Sequence, residues 1–225
     1  MRQSAFKLVS GVMAFTIAAL TPLEALWSQN GIAGDMFSLP SYQNWGNLSA
    51  RNRSDVANFE RFLARNGVAN VLPTYQILRT ASMAGVCNES AFYVPPQKFW
   101  PNIVTTLKFI RSHIIPNIGP VEAVSGYRNP VLNVCARGAR GSAHARYFAL
   151  DLVPVSAISR KELIASICKV HRDFGPEYGI GLGFYNGTRF HVDSRSFRRW
   201  GADGRGKTSP CAKYDLGLTQ AQNKK

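Results

Sequence analysis

In Gly181-Leu182-Gly183-Phe184-Tyr185-Asn186-Gly187-Thr188-Arg189-Phe190-His191-Val192-Asp193, two runs of apolar, aromatic and β-branched residues flank an Asn-Gly pair. Asn-Gly tolerates the positive φ angles of a tight turn, so the stretch reads as two antiparallel strands joined in a hairpin. Side chains alternate across a strand, which puts Arg189, His191 and Asp193 on one face and Phe190 and Val192 on the other. The apolar pair can hold the strand on a core while the polar trio faces elsewhere. The glycines of Gly179 to Gly183 lack the lysine and the strand-loop-helix setting of a phosphate loop, and the hairpin accounts for them.

Working outward, Ser159-Arg160-Lys161-Glu162 is a capping box and predicts a helix over Arg160 to Arg172. Val121 to Ser125 and Tyr147 to Leu152 are short and bounded by turn residues, and read as strands. Pro101 suits the first turn of a helix whose apolar stripe, Ile103, Val104, Leu107, Ile110 and Ile114, runs until Pro116. A further helix starts at Asp55, with Ser54 as cap, Val56, Phe59, Phe62 and Leu63 on one face and Gly67 at its end. A short helix is expected around Gln76 to Ala84. The fold class is therefore α+β, a small mainly antiparallel sheet with helices packed on one side.

The chain has 225 residues, 45% of them hydrophobic, enough for one domain with its own core. Charged residues make up 18%, yet Lys+Arg 27 against Asp+Glu 13 leaves +14, so anionic partners are favoured. Met1 to Lys7 is basic and Leu8 to Leu20 apolar or small, too short to span a membrane. The expected organisation is a secretory signal over 1–25 cleaved after Ala25, a loosely ordered lead-in over 26–54, a domain over 55–212 and a polar tail over 213–225. An uncleaved anchor is the alternative. Export would place the chain in the periplasm or at the cell wall. Basic residues are scattered, no nucleic-acid motif is present, and export removes such partners, so no nucleic acid is expected. Peripheral attraction to an anionic wall or membrane surface explains the charge instead.

Cys87, Cys135, Cys168 and Cys211 contain no Cys-x-x-Cys pair, which disfavours a thiolate zinc site or a redox motif. An even number in an exported chain reads as two disulfides. Three connectivities are open; Cys87–Cys135 with Cys168–Cys211 is preferred because it closes shorter loops.

His113 and His171 lie late in predicted helices among basic residues, where a solvated or dipole-facing role is expected. His144 follows the basic glycine-rich loop Arg137 to Ser142 and precedes a strand. There Tyr147, Ala149 and Asp151 share a face, and Asp151 is an acid in an otherwise apolar run. A buried carboxylate needs a partner. His144, Asp151 and His191 on adjoining strands would give the three-ligand, open-position arrangement of catalytic zinc. The alternative is a His–Asp hydrogen-bonded pair in a polar patch.

Ser142-Ala143-His144 through Ala149-Leu150-Asp151, followed by His191-Val192-Asp193, resembles the D-Ala-D-Ala carboxypeptidase branch of the LAS zinc metallopeptidases. Ser125-Gly126-Tyr127-Arg128, Asn133, Gly138-Ala139 and Arg199-Trp200 resemble it too, so the likeness covers about Val121 to Trp200. The resemblance implies a Hedgehog/D-Ala-D-Ala-peptidase-like fold and zinc-dependent cleavage of peptide bonds in peptidoglycan stem peptides. Zn2+ would be held by His144, Asp151 and His191. Arg128 would stabilise the developing oxyanion or grip a carboxylate, and Ser142 would donate to the substrate or satisfy its own turn.

Two departures stand out. Tyr147 replaces a glycine, and Thr188 stands where many relatives carry a base. Asp193 is then the local candidate for the base, with a role in orienting a ligand or gripping Arg195 as its alternative. Glu122 and Glu177 are reserves. Terminal D-Ala trimming, internal crosslink cleavage by an endopeptidase, and a catalytically inactive zinc-containing wall-binding module are the functions in play.

Overall fold

The computed structural model describes residues 35–212 and residue 214. The expected signal segment, residues 26–34 of the lead-in and all of the tail but Tyr214 lie outside the described residues. Strands β1 (Val121–Ser125), β2 (Ala149–Pro154), β3 (Gly181–Phe184), β4 (Phe190–Asp193) and β5 (Arg198–Trp200) form one open sheet among the described residues. The spatial order is β1-β2-β4-β3-β5, and every pairing is antiparallel except β3 with β5. The expected α+β class with a mainly antiparallel sheet is what the chain adopts.

The hairpin forms as β3 and β4, with Phe184 opposite Phe190. Its connection is longer than a two-residue turn: Tyr185 N–H bonds Arg189 O at 3.2 Å, and Gly187 takes φ +74°. Leu150, Leu152, Leu182, Phe184, Phe190 and Val192 are fully buried in one core with Phe59, Ile103, Leu107, Ile114, Leu163 and Ile167. Burying each such side chain contributes about 1.5–3 kcal/mol. The alternate positions Asp151 and His191 stand opposite one another, and Gly183 faces His191 from the other side. A register shift between Ala123 and Ser125 brings Ser125 opposite Asp151 at the end of β1.

The helices depart from expectation in instructive places. Within the described residues the lead-in is helical rather than loose: α1 (Leu39–Asn47) is capped by Ser38, and α2 (Ala50–Arg65) by Ser49 rather than Ser54. Tyr42 and Trp45 on α1 pack on Phe92, a tertiary anchor that local composition does not reveal. The short helix α3 (Thr74–Ile77) falls earlier than Gln76 to Ala84. Pro101 does sit in the first turn of α4 (Trp100–Phe109), but Pro116 does not end the run. A π-turn over Ile110–Ile114 realigns the backbone, so that Pro116 opens a new first turn in α5 (Ile115–Ile118), where its missing N–H costs nothing. After α6 (Pro130–Cys135) and β2, the capping box of Ser159 and Glu162 starts α7 (Arg160–Tyr178), which outruns the expected end at Arg172.

The strand expected from Tyr147 begins only at Ala149. Tyr147 adopts the left-handed conformation, φ +59° and ψ 34°, a geometry that costs a side-chain-bearing residue about 1–2 kcal/mol. Its buried ring packs against Phe59 and Tyr127 and its hydroxyl donates to Ile77 O at 3.2 Å, which holds it there.

The cysteines pair as Cys87–Cys135 and Cys168–Cys211. The first ties the segment before Phe92 to α6, the second ties α7 to the chain after β5. Both hint at an oxidising compartment. Among the described residues no helix is long and apolar enough to cross a membrane.

Candidate metal centre

Three elements deliver three ligand atoms to one point. A single 3-10 turn carries His144, β2 carries Asp151, and β4 carries His191. His144 Nε2 lies 3.2 Å from Asp151 Oδ1 and 3.1 Å from His191 Nδ1, and His191 Nδ1 lies 3.1 Å from Asp151 Oδ1. All three side chains are buried. Tetrahedral zinc at about 2.0–2.2 Å from nitrogen and oxygen separates its ligands by about 3.3–3.6 Å, within a few tenths of an ångström of this triangle. Two imidazole nitrogens and one carboxylate oxygen converging at this spacing are a donor set that fits a divalent cation, and the group could hold a metal ion.

The outer atoms fix the ring orientations. His144 Nδ1 donates to Gly126 O at 2.7 Å, leaving the Nε2 lone pair for the centre. Gly126 is needed there, because a Cβ would stand 2.7 Å from Ile77 O and 3.0 Å from Arg79 O. His191 Nε2 donates to Asp193 Oδ2 at 2.8 Å, leaving Nδ1 inward. Such carboxylate–imidazole pairs set the tautomer and raise ligand basicity. Asp193 is itself held by both terminal nitrogens of Arg198, at 2.9 and 2.8 Å, and by Arg195 N–H at 2.9 Å. Gly181 and Gly183 leave this face of β3 open for the Asp193–Arg198 pair and for the Trp200 ring, which lies 5.3 Å from that of His191.

Asp151 Oδ2 faces away from the triangle and takes Arg128 at 2.9 Å and Arg189 at 2.6 Å, while the Tyr185 hydroxyl donates to Oδ1 at 3.0 Å. Burial opposes ionisation of Asp151, but His144, His191 and Arg128 outweigh it and hold its pKa well below the carboxylate range. Burial and the Arg128 charge press His144 down to about 4, so its imidazole is neutral at physiological pH, as a ligand must be. Burial lowers the pKa of His191, but Asp151 and Asp193 reverse this and leave it raised.

A cleft of about 490 Å³ opens over the triangle, lined by Arg128, Ser142, His144, Tyr185, His191 and Trp200, with Arg137 and Arg195 at its edge. Arg128 also bonds Ser125 Oγ at 3.0 Å and, through its backbone N–H, His144 O at 3.2 Å. Ser142 is built into local turns, its N–H on Ala139 O and its own carbonyl on Ala145 N–H.

Of the sequence-derived candidates, His144, Asp151, His191, Arg128 and Ser142 come together. Asp193 stands at the His191 nitrogen that faces away from the other ligands, and of its two expected roles the geometry provides the orienting one. Glu122 is not a reserve base: it is buried against Arg79, which also reaches Ala123 O and Phe37 O. Glu177 is exposed near the end of α7, and Thr188 lies in the hairpin connection beside Val153 and Pro154. His171 is buried rather than solvated, with Nε2 on Ile180 O at 2.9 Å, and His113 stacks on Phe174. Sequence reasoning missed Tyr185 and Arg198. Tyr185 continues the Gly181, Gly183 alternation of β3, and that period was its signal.

No family model, curated protein or solved structure matches the chain. The site thus rests on its own geometry: an α+β domain carrying a buried His-Asp-His group beneath a cationic cleft.

Proposed function

We propose that the protein is a secreted zinc metallopeptidase with a Hedgehog/D-Ala-D-Ala-peptidase-like fold that hydrolyses peptide bonds in peptidoglycan stem peptides, trimming a terminal D-amino acid. The observation that carries this reading is the triangle of His144 Nε2, Asp151 Oδ1 and His191 Nδ1, each outer nitrogen already bonded, at the floor of an open cleft. When bound, zinc supplies Lewis acidity to a scissile carbonyl and to water.

The chain's own residues do the rest. Arg128 and Arg189 hold Asp151 Oδ2 and leave Oδ1 for the centre. Arg128 borders the cleft as well, where its guanidinium meets negative charge developing on the substrate carbonyl oxygen. Tyr185 donates a hydrogen bond at the same floor. Asp193, clamped by Arg198, keeps His191 in its tautomer. The exposed Arg137 side chain in the cleft lining has no hydrogen-bond or ionic partner among the described residues and suits a free substrate carboxylate. That cationic surplus suits the free carboxylate of a terminal D-Ala, the substrate of carboxypeptidase action.

The test is mass analysis of defined muropeptides incubated with zinc-loaded protein. Release of D-Ala by wild type and none by His144→Ala is the expected outcome. Cleavage of crosslinked dimers without D-Ala release would identify the endopeptidase. Zinc binding with no product from either substrate would leave a wall-binding module.

A further inference from the structure

A second and larger cleft, of about 800 Å³, runs between α2 and the Ser90 to Gln97 segment. Arg51, Asp55, Asn58, Arg61 and Arg65 recur along α2 at intervals of three and four, so they form one stripe about 21 Å long. A polar stripe of this kind is ordinarily a solvated helix face. Here it is one wall of a groove whose opposite wall contains Tyr93, Val94, Pro95 and Pro96. Trp100 at the base donates from Nε1 to Pro95 O at 2.7 Å and so fixes that proline wall. Trp45, half-buried against Phe92, contributes to the lining as well.

We propose that this groove binds a strand of acidic polysaccharide. Three arginines face it against one aspartate, and the Arg51–Asp55 pair, at 3.6 Å with Arg51 almost wholly exposed, neutralises little. The exposed Arg65 side chain has no hydrogen-bond or ionic partner among the described residues. Guanidinium groups in a row match carboxylates repeated along a chain. Tyr93 and Trp45 offer ring surfaces for the C–H faces of sugars, Gln97 offers an amide for hydroxyls, and Asn58 accepts from Arg61 and so steadies that guanidinium in the row. Tyr93 is the exposed aromatic ring in the lining, and Trp100 is only 6% exposed. The groove therefore lacks the successive open stacking platforms that single-stranded nucleic acid uses. The length of the stripe suits an extended chain rather than a small anion.

Affinity electrophoresis of the full chain through gels containing polygalacturonate, dextran, polyglutamate or single-stranded DNA tests this. Polygalacturonate is expected to retard the wild type most, and dextran not at all. The exposed-site double variant Arg61→Ala with Arg65→Ala should weaken polygalacturonate binding at least about tenfold. Trp45→Ala should weaken it several-fold, and the charge-matched control Lys161→Ala with Lys207→Ala should leave it unchanged. His144→Ala should also bind as wild type, separating the groove from the metal centre. Equal losses in the arginine and lysine double variants, a loss in His144→Ala, or polyglutamate or DNA binding as tightly as polygalacturonate would overturn the proposal.

Discussion

Two arginine–carboxylate pairs are buried along the same sheet, Arg79 with Glu122 on β1 and Arg128 with Asp151 on β2. The first is closed: Arg79 also donates to Ala123 O and Phe37 O, and both partners are buried and line neither cleft. The second is open, because Asp151 keeps one oxygen turned toward two imidazole lone pairs beneath a cleft. Buried charge alone therefore marks no functional site. What distinguishes the Asp151 region is two imidazole nitrogens and a carboxylate oxygen converging on one point, a group that could hold a metal ion.

Substitutions in the two regions should separate metal binding from stability. The largest effect is expected from His144→Ala, which should abolish stoichiometric zinc binding in equilibrium dialysis while the far-ultraviolet circular dichroism stays native. Arg79→Ala should do the reverse. It leaves Glu122 buried without its cation, a change that costs about 3–5 kcal/mol in urea unfolding, yet the folded fraction should still bind zinc. A smaller effect is expected at the support of the open pair: Asp193→Ala should lower zinc affinity by about 10–100-fold through loss of the His191 anchor. Equal stability losses for Arg79→Ala and His144→Ala would erase the distinction.

Acidification sharpens the same contrast. Protons compete with metal for imidazole, and the metal-free pKa of His191 is raised. Zinc affinity should hold above that pKa and fall as pH drops through it, beginning at a higher pH than for an ordinary histidine. His144, lowered to about 4, adds its own loss only in stronger acid. A titration of zinc affinity against pH checks the sign; affinity that rose on acidification would contradict it.

The open region was legible in the sequence because chemistry and period coincided there. His191 and Asp193 alternate with Phe190 and Val192, Asp151 interrupts an apolar run, and β1, the hairpin and the capping box carried local signals that the fold obeys. The disulfide pairing followed the preference for short loops. The closed pair is not legible, since nothing local joins Arg79 to Glu122, and a lone acid in a strand reads equally well as a reserve base. Other misses share that cause. The order of α1 depends on Tyr42 and Trp45 meeting Phe92, the left-handed turn at Tyr147 on a ring pocket, and the passage through Pro116 on a π-turn. In each, tertiary packing overrides a residue's local preference.

The most direct measurement is a crystal structure of the zinc-loaded protein with anomalous data collected at the zinc edge. The account requires one ion within about 2.0–2.2 Å of His144 Nε2, His191 Nδ1 and Asp151 Oδ1. An anomalous peak elsewhere, coordination through His191 Nε2, or a metal-free triangle in protein soaked with excess zinc would contradict it.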